Sequence, residues 1–568
     1  MDNRLISQKD FEVSKFRVTQ TLLFISPLIT LAVNPWTNYD PISLPKMLVL
    51  CCGAFAVLGV LLINLKSVIE TFPKVPLFIS GTFLFFMSLS VLFSGAPLSQ
   101  QFWGSFGRNT GFLTYFSLLI LLLAFIWIRS SQVYLRLAWI FVLTSVPMTI
   151  YCMVQISGND PIPWSEFNTF GTLGNINFLS AFLGMTSVGL FGFALDNSIK
   201  PLIRFSMLTL ALIDLVIISS TGSIQGPVIF SVGIAILLLF PIMNLKKFRL
   251  IAFATFSSFS LAFVYLLLQA LSNAGPLAKI IYQPSVVFRG DYIHAGWEMT
   301  TKYPVFGIGM DSYGDWYRAA RGQISTLRTG PDRVANTAHN IFLDISSNGG
   351  VLLGISYIAL ILFTLISALK IFKGAHRNRT EFKVIFSVWV AYQVQALVSI
   401  NQIGVGVWGW AFTGALIGMY YMHTDSESRV IEKPFRNRSK DFRGRPMKAS
   451  HILAGFLGLS IGVGLAAIPL NADVKYRAAS DKGNLTEMRK ATNAIGSTEF
   501  HRELVLDFAM RNNLGPEVKE IAQELVQKYP RSFFGWRVLS VAALSTDEER
   551  LRALNVARQL DPFNPDLR

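Results

Sequence analysis

The chain has 568 residues, and its composition excludes a soluble protein of several domains. Hydrophobic residues make up 52% of it and charged residues only 15%, while the excess of Lys and Arg gives a net charge of +16. Apolar runs of roughly 20 residues, long enough to cross the hydrocarbon layer of a bilayer, recur along most of the sequence. The sequence therefore predicts an all-α, polytopic membrane helix bundle.

Thirteen membrane spans are predicted from these runs. They lie near residues 19–33, 45–63, 74–94, 111–128, 133–154, 173–193, 202–220, 226–243, 249–271, 341–369, 384–400, 404–422 and 451–470. Basic residues collect in alternate loops, as at Lys66, Lys200 and Lys246. Because Lys and Arg beside short loops stay on the cytoplasmic side, we expect the leader 1–18 to be cytoplasmic. After an odd number of spans, the residues that follow the last one are expected outside.

Two polar stretches stand out among the spans. Residues 272–338 form a loop within the membrane domain 19–422, and a loop of this length is usually functional. The tract 423–449 holds eight Lys or Arg against four Asp or Glu, and we interpret it as a cytoplasmic linker that attracts anionic lipid before the final span 450–470. No basic fold with interleaved aromatic residues accompanies this tract, so nucleic acid is not an expected partner.

Residues 471–568 are predicted to form a separate, exported helical domain. Pro530 and Pro562 are 32 residues apart, and Phe500 and Phe533 are 33 apart. This spacing is close to the period of tetratricopeptide repeats, each of which is a helical hairpin. A plain helical bundle is the alternative. A repeat domain would offer a surface to an acceptor or to a protein partner.

Familiar metal and cofactor motifs are missing from the sequence. It contains no Walker A sequence, no HExxH and no CxxC pair. The pair Gly307 and Gly309 lacks the strand-turn-helix unit of a dinucleotide site. All three cysteines fall in predicted spans: Cys51, Cys52 and Cys152. We therefore expect no metal site, no cofactor and no disulfide.

The segment TAHNIFLDISSNGG, residues 337–350, places polar side chains at the start of predicted span ten. His339 has an ordinary pKa of about 6.5, which suits a general base, although a capping or interfacial histidine is the alternative. On a helix beginning here, three polar residues would form one stripe: Asn340, Asp344 and Asn348. Polar residues at membrane depth usually face a cavity or a partner, so the segment is a candidate site.

Arg289 heads a predicted amphipathic helix over 288–300, which Pro304 ends. An arginine can bind phosphate oxygens through two parallel hydrogen bonds, and it stays charged at any relevant pH. The loop has further arginines, and a surface position without a function is the alternative for each: Arg318, Arg321, Arg328 and Arg333. Asn175 and Asn177, at the outer entrance of span six, indicate either a polar pocket or an ordinary helix start.

Together these residues resemble the O-antigen ligase and O-antigen polymerase superfamily. One group resembles the family's histidine signature: His339, Asn340, Leu343 and Gly350. A second group resembles the arginine-helix pattern of its large exported loop: Arg289, Trp297, Pro304, Gly307 and Gly309. The segments GTLGNINFLSAF, with Asn175 and Asn177, and GRNTGFLTY, with Arg108, are similar to two further segments of the ligases. The resemblance covers roughly residues 20–422.

The resemblance implies a glycosyltransferase of the cytoplasmic membrane. Such an enzyme moves a glycan from a polyprenyl diphosphate to a lipid, protein or cell-wall acceptor on the outer face, and needs neither nucleotide nor metal. Arg289 would hold the diphosphate, His339 would activate the acceptor, and Trp297, Asn340 and the two asparagines of span six would bind substrate. Joining of repeat units on the same carrier is the sister activity. A transporter is a further alternative, disfavoured because ionisable residues are few at mid-membrane depth.

One departure from the family concerns the turn between spans seven and eight. Family members often carry an arginine there, whereas this chain reads SSTGSIQGPV, with Gln225 near the expected place. Gln225 is expected to bind substrate through one neutral hydrogen bond, but it brings no positive charge to a phosphate. A second phosphate-binding cation is therefore expected from Arg108 first, and then from Arg318 or Arg321.

Overall fold

The fold is described by a computed structural model that covers residues 2–164, 168–244, 283–424 and 447–567, with short stretches between 250 and 281. Within those residues the chain forms 24 α-helices and no strand. The expected all-α class is therefore confirmed.

Ten helices form the first part of the bundle. In chain order they are α1 (Asp2–Leu31), α2 (Ser43–Ile63), α3 (Leu65–Thr71), α4 (Lys74–Phe93), α5 (Leu98–Trp103), α6 (Phe112–Ile128), α7 (Ser131–Ile156), α8 (Ile176–Ala194), α9 (Pro201–Ser220) and α10 (Gln225–Asn244). Eight more include the long polar segment: α11 (Ala278–Ile281), α12 (Pro284–Lys302), α13 (Tyr313–Ala320), α14 (Gln323–Thr329), α15 (Ile341–Gly349), α16 (Val351–Lys373), α17 (Thr380–Val398) and α18 (Ile403–Thr424).

Six helices complete the chain. They are α19 (Ala449–Asp481), α20 (Leu485–Thr492), α21 (Glu499–Arg511), α22 (Gly515–Lys528), α23 (Phe533–Val541) and α24 (Asp547–Leu560). The predicted boundary between residues 470 and 471 falls inside α19, which runs unbroken from the last apolar stretch into the polar C-terminal part. Helices α20 to α24 each pack on the next. Their assignment as tetratricopeptide repeats stays a prediction.

Most of the predicted spans coincide with described helices. Nine of the described helices are long and apolar enough to cross a membrane: α2, α4, α7, α8, α9, α10, α16, α18 and α19. Helix α6 is apolar but has only 17 residues, and α1 and α17 cover the first and eleventh predicted spans without being among the nine. Most of the ninth predicted span, 249–271, and most of the linker 423–449 lie outside the described residues, so the total of thirteen stays a prediction.

The predicted span 341–369 is wrong at its start, because a break at Gly350 divides it. Gly350 has a φ of +86°, and a Cβ there would lie 2.3 Å from the carbonyl oxygen of Val305. Val351 then donates a backbone hydrogen bond to Pro304 at 2.8 Å. Residues 341–349 are thus a separate short helix, α15, that packs against the polar segment, and the apolar helix α16 begins at Val351.

The core of the bundle is rich in aromatic residues and is centred on α18, which is buried along nearly its whole length. Trp408 donates from its indole nitrogen to Thr30 at 2.8 Å, and Trp389 donates to Thr413 at 2.9 Å. Both tryptophans are almost fully buried, and pairing their N–H groups removes the cost of burying them unsatisfied.

The polar segments meet at one end of the bundle. We call this end, which contains Ser43, Gly107, Asn340 and Leu397, the loop end. Ser43 donates to the carbonyl of Gly107 at 2.7 Å, and Asn340 donates to the carbonyl of Leu397, at the end of α17, at 3.1 Å. The C-terminal helices dock at the same end. There the carboxylate of Asp473 accepts from the backbone nitrogen of Tyr39 at 2.7 Å.

Candidate active site at the loop end

Helix α12 carries Arg289 and lies against the segment that contains His339. It begins with Pro284 in its first turn, where a proline has no hydrogen bond to lose. The predicted helix is present, and it buries Ala295 and Met299 in a small core with Ala338. Trp297 is 60% exposed and therefore lies on the outward face of α12, whereas Arg289 is half-buried.

His339 stands in the turn immediately before α15. Its φ is +50°, a conformation that few residues other than glycine adopt and that often marks functional positions. Thr337 and Asn340 fix the turn: the hydroxyl of Thr337 accepts from the backbone nitrogen of His339 at 2.8 Å, and Asn340 caps α15 by accepting from Leu343 at 3.0 Å. The imidazole faces the ring of Tyr292, with 5.0 Å between centroids.

The imidazole of His339 is uncharged at neutral pH. Burial, together with the positive charges of Arg289 and Arg108, lowers the pKa of His339 to about 4. Its ring nitrogens have no hydrogen-bond partner among the described residues. A neutral, unpartnered imidazole can accept a proton from a substrate hydroxyl.

Arg108 lies near His339, and two carboxylates compensate its positive charge. Its guanidinium is 3.1 Å from Asp344 and 3.5 Å from Asp311, and it also donates to the carbonyl of Asn336. Asp344 in turn accepts from the backbone nitrogen of Ala338 at 3.2 Å. Arg108 therefore holds the segment that carries His339, and its charge is already paired.

The polar stripe of α15 is occupied by contacts within the protein. Asn348 accepts from the backbone nitrogen of Ser312 at 3.0 Å and donates to the carbonyl of Asp344 at 2.7 Å. Both residues are buried, and Asn340 uses its side chain for the cap and for the contact with α17. The stripe fixes α15 to its neighbours, so we do not include Asn340 among the substrate contacts proposed below.

Arg318 and Arg321 join the polar segment to the C-terminal helices. Arg321 is 1% exposed and forms two hydrogen bonds with Asp561, at 2.9 and 2.7 Å. Arg318 is 3.1 Å from the same carboxylate and lies 4.2 Å above the ring of Phe533. Neither guanidinium is free for a phosphate, and we do not include them in the proposed site.

Arg289 has no hydrogen bond or ion pair with any residue that the structure describes. Burial lowers its pKa, which reflects the cost of an uncompensated charge. The exposed Arg333 stacks at 4.6 Å on the ring of Phe288, the neighbour of Arg289, and it too lacks a described ion pair. Tyr292 lies in the electric field of both arginines. Sequence reasoning did not select Arg333, because its position beside Arg289 depends on a tertiary contact.

Amide side chains from three helices lie near the loop end. Asn175 is exposed and caps α8, and Asn177 accepts from Ser223 at 2.8 Å, in the turn before Gln225. Gln225 is buried, and neither of its side-chain polar atoms has a partner among the described residues. Gln395 of α17 is 1% exposed and equally unpartnered.

Gln225 and Gln395 lie toward the same end because α10 and α17 pack against each other in opposite directions. A Cβ at Gly233 of α10 would lie 3.2 Å from the Cβ of Ala391 of α17. From this contact, Gln225 and Gln395 each lie further toward the loop end. Sequence reasoning did not select Gln395. The segment QVQALVSINQ, residues 393–402, could have indicated it, since it puts four amides at one end of a predicted span.

Comparisons with known proteins agree with the motif resemblance. Residues 206–358 match the family model described as O-antigen ligase, a stretch that includes Gln225, Arg289, Arg333 and His339. A search of curated proteins found no match. The family match indicates a glycosyltransferase-like enzyme that transfers glycan in cell-envelope biosynthesis. Residues 206–358 are thus similar to the O-antigen ligase family, and this match supports the resemblance of the motifs to the O-antigen ligase superfamily.

Proposed function

We propose that the protein transfers a glycan from a polyprenyl diphosphate to an acceptor at the loop end, which faces the outside of the cytoplasmic membrane. The observation that carries the proposal is that Arg289, half-buried without a described counter-ion, lies close enough to the neutral His339 to lower its pKa. A diphosphate would supply the missing negative charge. An acceptor hydroxyl would supply the proton that His339 can take.

The donor diphosphate is bound by Arg289 and Arg333. A charged group removed from water without a counter-ion raises the free energy of the protein, so an anion that pairs with Arg289 binds favourably. The neighbouring Arg333 can contact the second phosphate. It thus takes the role of second phosphate-binding cation that was predicted for Arg108, Arg318 or Arg321. The polyprenyl chain would stay in the bilayer beside the apolar helices.

The binding of donor strengthens His339 as a base. The field of Arg289 helps to lower the pKa of His339, and a diphosphate beside Arg289 offsets that field. The acceptor oxygen then attacks the anomeric carbon of the glycan while its proton passes to His339. The bond from that carbon to the diphosphate breaks, and Arg289 stabilises the charge on the departing polyprenyl diphosphate.

The unpartnered amides are proposed to bind the sugar next to the diphosphate. A buried polar group without a hydrogen bond costs about 1–3 kcal/mol, and sugar hydroxyls can donate to or accept from both ends of a glutamine amide. Gln225 and Gln395 meet this description, and Asn177 lies beside Gln225 through Ser223. They would orient the glycan without adding charge.

The test uses purified protein in proteoliposomes, supplied with a polyprenyl-diphosphate glycan and a candidate acceptor. We expect a product whose mass equals the acceptor plus one glycan. A series of lengthened chains that remain on the carrier would instead identify a polymerase. Uptake of solute with no glycan transfer would identify a transporter and contradict the proposal.

The orientation has its own test. The exposed Leu327 on α14 is replaced by cysteine and intact cells are treated with an impermeant maleimide. Labelling is expected at this position and not at Asn197→Cys, which lies in the turn at the opposite end of the bundle. The reverse pattern would place the loop end in the cytoplasm.

A further inference from the structure

A cavity of about 630 Å³ lies between the loop end and the C-terminal helices. Its wall comes from the turn 99–109, from residues 311–318 and 334–336, and from the C-terminal stretches 496–503 and 529–534. This volume is in the range of small-ligand sites. The cavity is separate from the amides near α10 and α17, and it exists only because the C-terminal helices dock on the loop end.

Three carboxyl groups face one another across this cavity: Asp315, Glu499 and Glu503. None forms an ion pair within 4.0 Å with a residue that the structure describes. Their contacts are neutral, with Gln100 donating to Asp315 at 2.8 Å and Ser532 donating to Glu503 at 3.2 Å. Burial raises the pKa of Asp315 to about 6 and that of Glu503 to about 7, with smaller contributions from the negative charge of Asp311 on Asp315 and of Asp315 on Glu503.

Two arginines beside the cavity, Arg531 and Arg318, form no ion pair within 4.0 Å with the three carboxyl groups, although their charges partly offset the rise in the pKa values of those groups. Arg531 lies with its guanidinium 3.3 Å above the ring of Trp316 and donates to the backbone carbonyl of Asp315 at 3.2 Å. Arg318, which also lines the cavity, is paired with Asp561. The three carboxyl groups thus lack a close counter-ion, and a cationic ligand among them would favour their ionised forms.

Two buried lining atoms point independently to a polar ligand. Asn109 is 2% exposed and Ser497 is 3% exposed, and both line the cavity. The Oδ1 atom of Asn109 and the Oγ atom of Ser497 have no hydrogen-bond partner among the described residues. Hydroxyl groups of a ligand would satisfy both atoms.

Aromatic side chains supply much of the remaining wall. Trp103 and Phe533 line it, and Phe106 stacks on Phe500 with 4.4 Å between ring centroids. Flat apolar faces combined with carboxyl and amide groups suit a ligand whose rings have apolar faces and hydroxyl-bearing edges. A sugar has this form.

We propose that the cavity binds a saccharide that carries a protonated amino group, and that this saccharide belongs to the acceptor. The ammonium group would lie among Asp315, Glu499 and Glu503, and the ring hydroxyls would reach Asn109 and Ser497. Only the assignment of this saccharide to the acceptor rests on the proposed function. The binding of the aminosaccharide rests on the cavity itself.

The cavity is linked to the candidate active site through one layer of residues. Asn336 and Asp311 both line the cavity, and both contact Arg108. Arg108 in turn contributes to the field at His339. An acceptor held in the cavity would therefore lie on the side of His339 that is packed against the C-terminal helices.

The experiment measures binding by calorimetry to the full-length protein in nanodiscs. The probes are a tetrasaccharide of glucosamine and its fully N-acetylated counterpart, which differ in charge. We expect the glucosamine tetrasaccharide to bind at least ~10-fold more tightly. Glu503→Gln, which keeps the acceptor oxygen for Ser532, should remove most of that preference, whereas the exposed control Glu548→Gln on α24 should not.

The outcomes separate this inference from the proposed function. Arg289→Ala should bind glucosamine tetrasaccharide as the wild type does. Equal binding of the two tetrasaccharides, no binding of either, or unchanged binding by Glu503→Gln with an unchanged thermal midpoint would overturn the inference. Equally tight binding of a lysine tetrapeptide would overturn its assignment to a saccharide. Binding without glycan transfer would instead contradict only the proposed function.

Discussion

Arg108 donates to Asp344 at 3.1 Å and so ties the turn between α5 and α6 to α15, the helix that follows His339 and Asn340. Both side chains are almost completely buried. Asp344 also accepts from the backbone nitrogen of Ala338. The position of His339 therefore depends on a buried ion pair that a substrate need not touch.

Breaking this pair is expected to destabilise the protein and to displace His339. Arg108→Ala should lower the free energy of unfolding by about 3–5 kcal/mol, because it leaves Asp344 buried without its partner. Asp344→Ala should lower it by less, because Asp311 still lies 3.5 Å from Arg108. The double variant should lose less than the sum of the two. Denaturant titration in detergent measures all three, and strictly additive losses would show that the pair is not coupled.

The lowered pKa of His339 predicts a specific pH dependence. In the free enzyme the acid limb of kcat/KM should lie near pH 4, whereas the acid limb of kcat should lie at higher pH, because bound diphosphate offsets the field of Arg289. Initial rates measured across pH at low and saturating donor distinguish the two limbs. Coincident limbs would contradict the role given to His339.

The same shift makes a prediction for stability. The folded pKa of about 4 lies below the unfolded value of about 6.5, so the unfolded chain binds the proton more readily. This contribution to the free energy of unfolding is therefore favourable above pH 6.5 and diminishes as the pH falls toward 4. His339→Gln should lack this part of the pH dependence.

Replacing the unpartnered amide of Gln395 should separate stability from activity. Gln395→Leu removes a buried polar group that has no described partner, so the thermal midpoint should rise or stay unchanged. The KM for the donor should rise, by roughly 10-fold for the loss of sugar hydrogen bonds. Gln402→Leu is a matched control, because its oxygen accepts from Val405 and its loss should lower the thermal midpoint. A normal KM for Gln395→Leu would exclude the amide from the site.

The sequence was sufficient where one-dimensional periodicity decides the structure. Apolar runs located the spans, and the period of residues 288–300 located α12. It failed at Gly350, because the break depends on the close approach of Val305, and at the stripe of Asn340, Asp344 and Asn348. The polarity of that stripe was visible, but its partners come from distant segments.

Charge compensation was the second limit of the sequence. The sequence alone does not distinguish Arg108, Arg318 and Arg321 from Arg289. Their partners are remote in sequence: Asp344 and Asp561 pair with these three and leave Arg289 without a described counter-ion. Arg333 could not be selected for the same reason, because its neighbour Phe288 lies 45 positions earlier in the chain.

The contact between Arg321 and Asp561 predicts how the C-terminal helices are held. Both side chains are fully buried, so Asp561→Ala should leave the arginine uncompensated and weaken docking by about 3–5 kcal/mol. Limited proteolysis should then release the region after residue 481 more quickly. Glu520→Ala, which breaks a more exposed pair with Arg489, is the control and should leave cleavage unchanged. Equal cleavage of both variants would contradict this role.

The central claim is that Arg289 neutralises the diphosphate of the donor, and its most direct test is the rate of glycan transfer in proteoliposomes. Arg289→Ala should lower kcat by about 100-fold to 1000-fold, with an unchanged thermal midpoint, because its guanidinium pairs with no described residue. Arg328→Ala on the same segment removes a partly exposed arginine that pairs with Asp291 at 3.2 Å, and it should retain near wild-type activity. Equal activity of Arg289→Ala and Arg328→Ala would contradict the account.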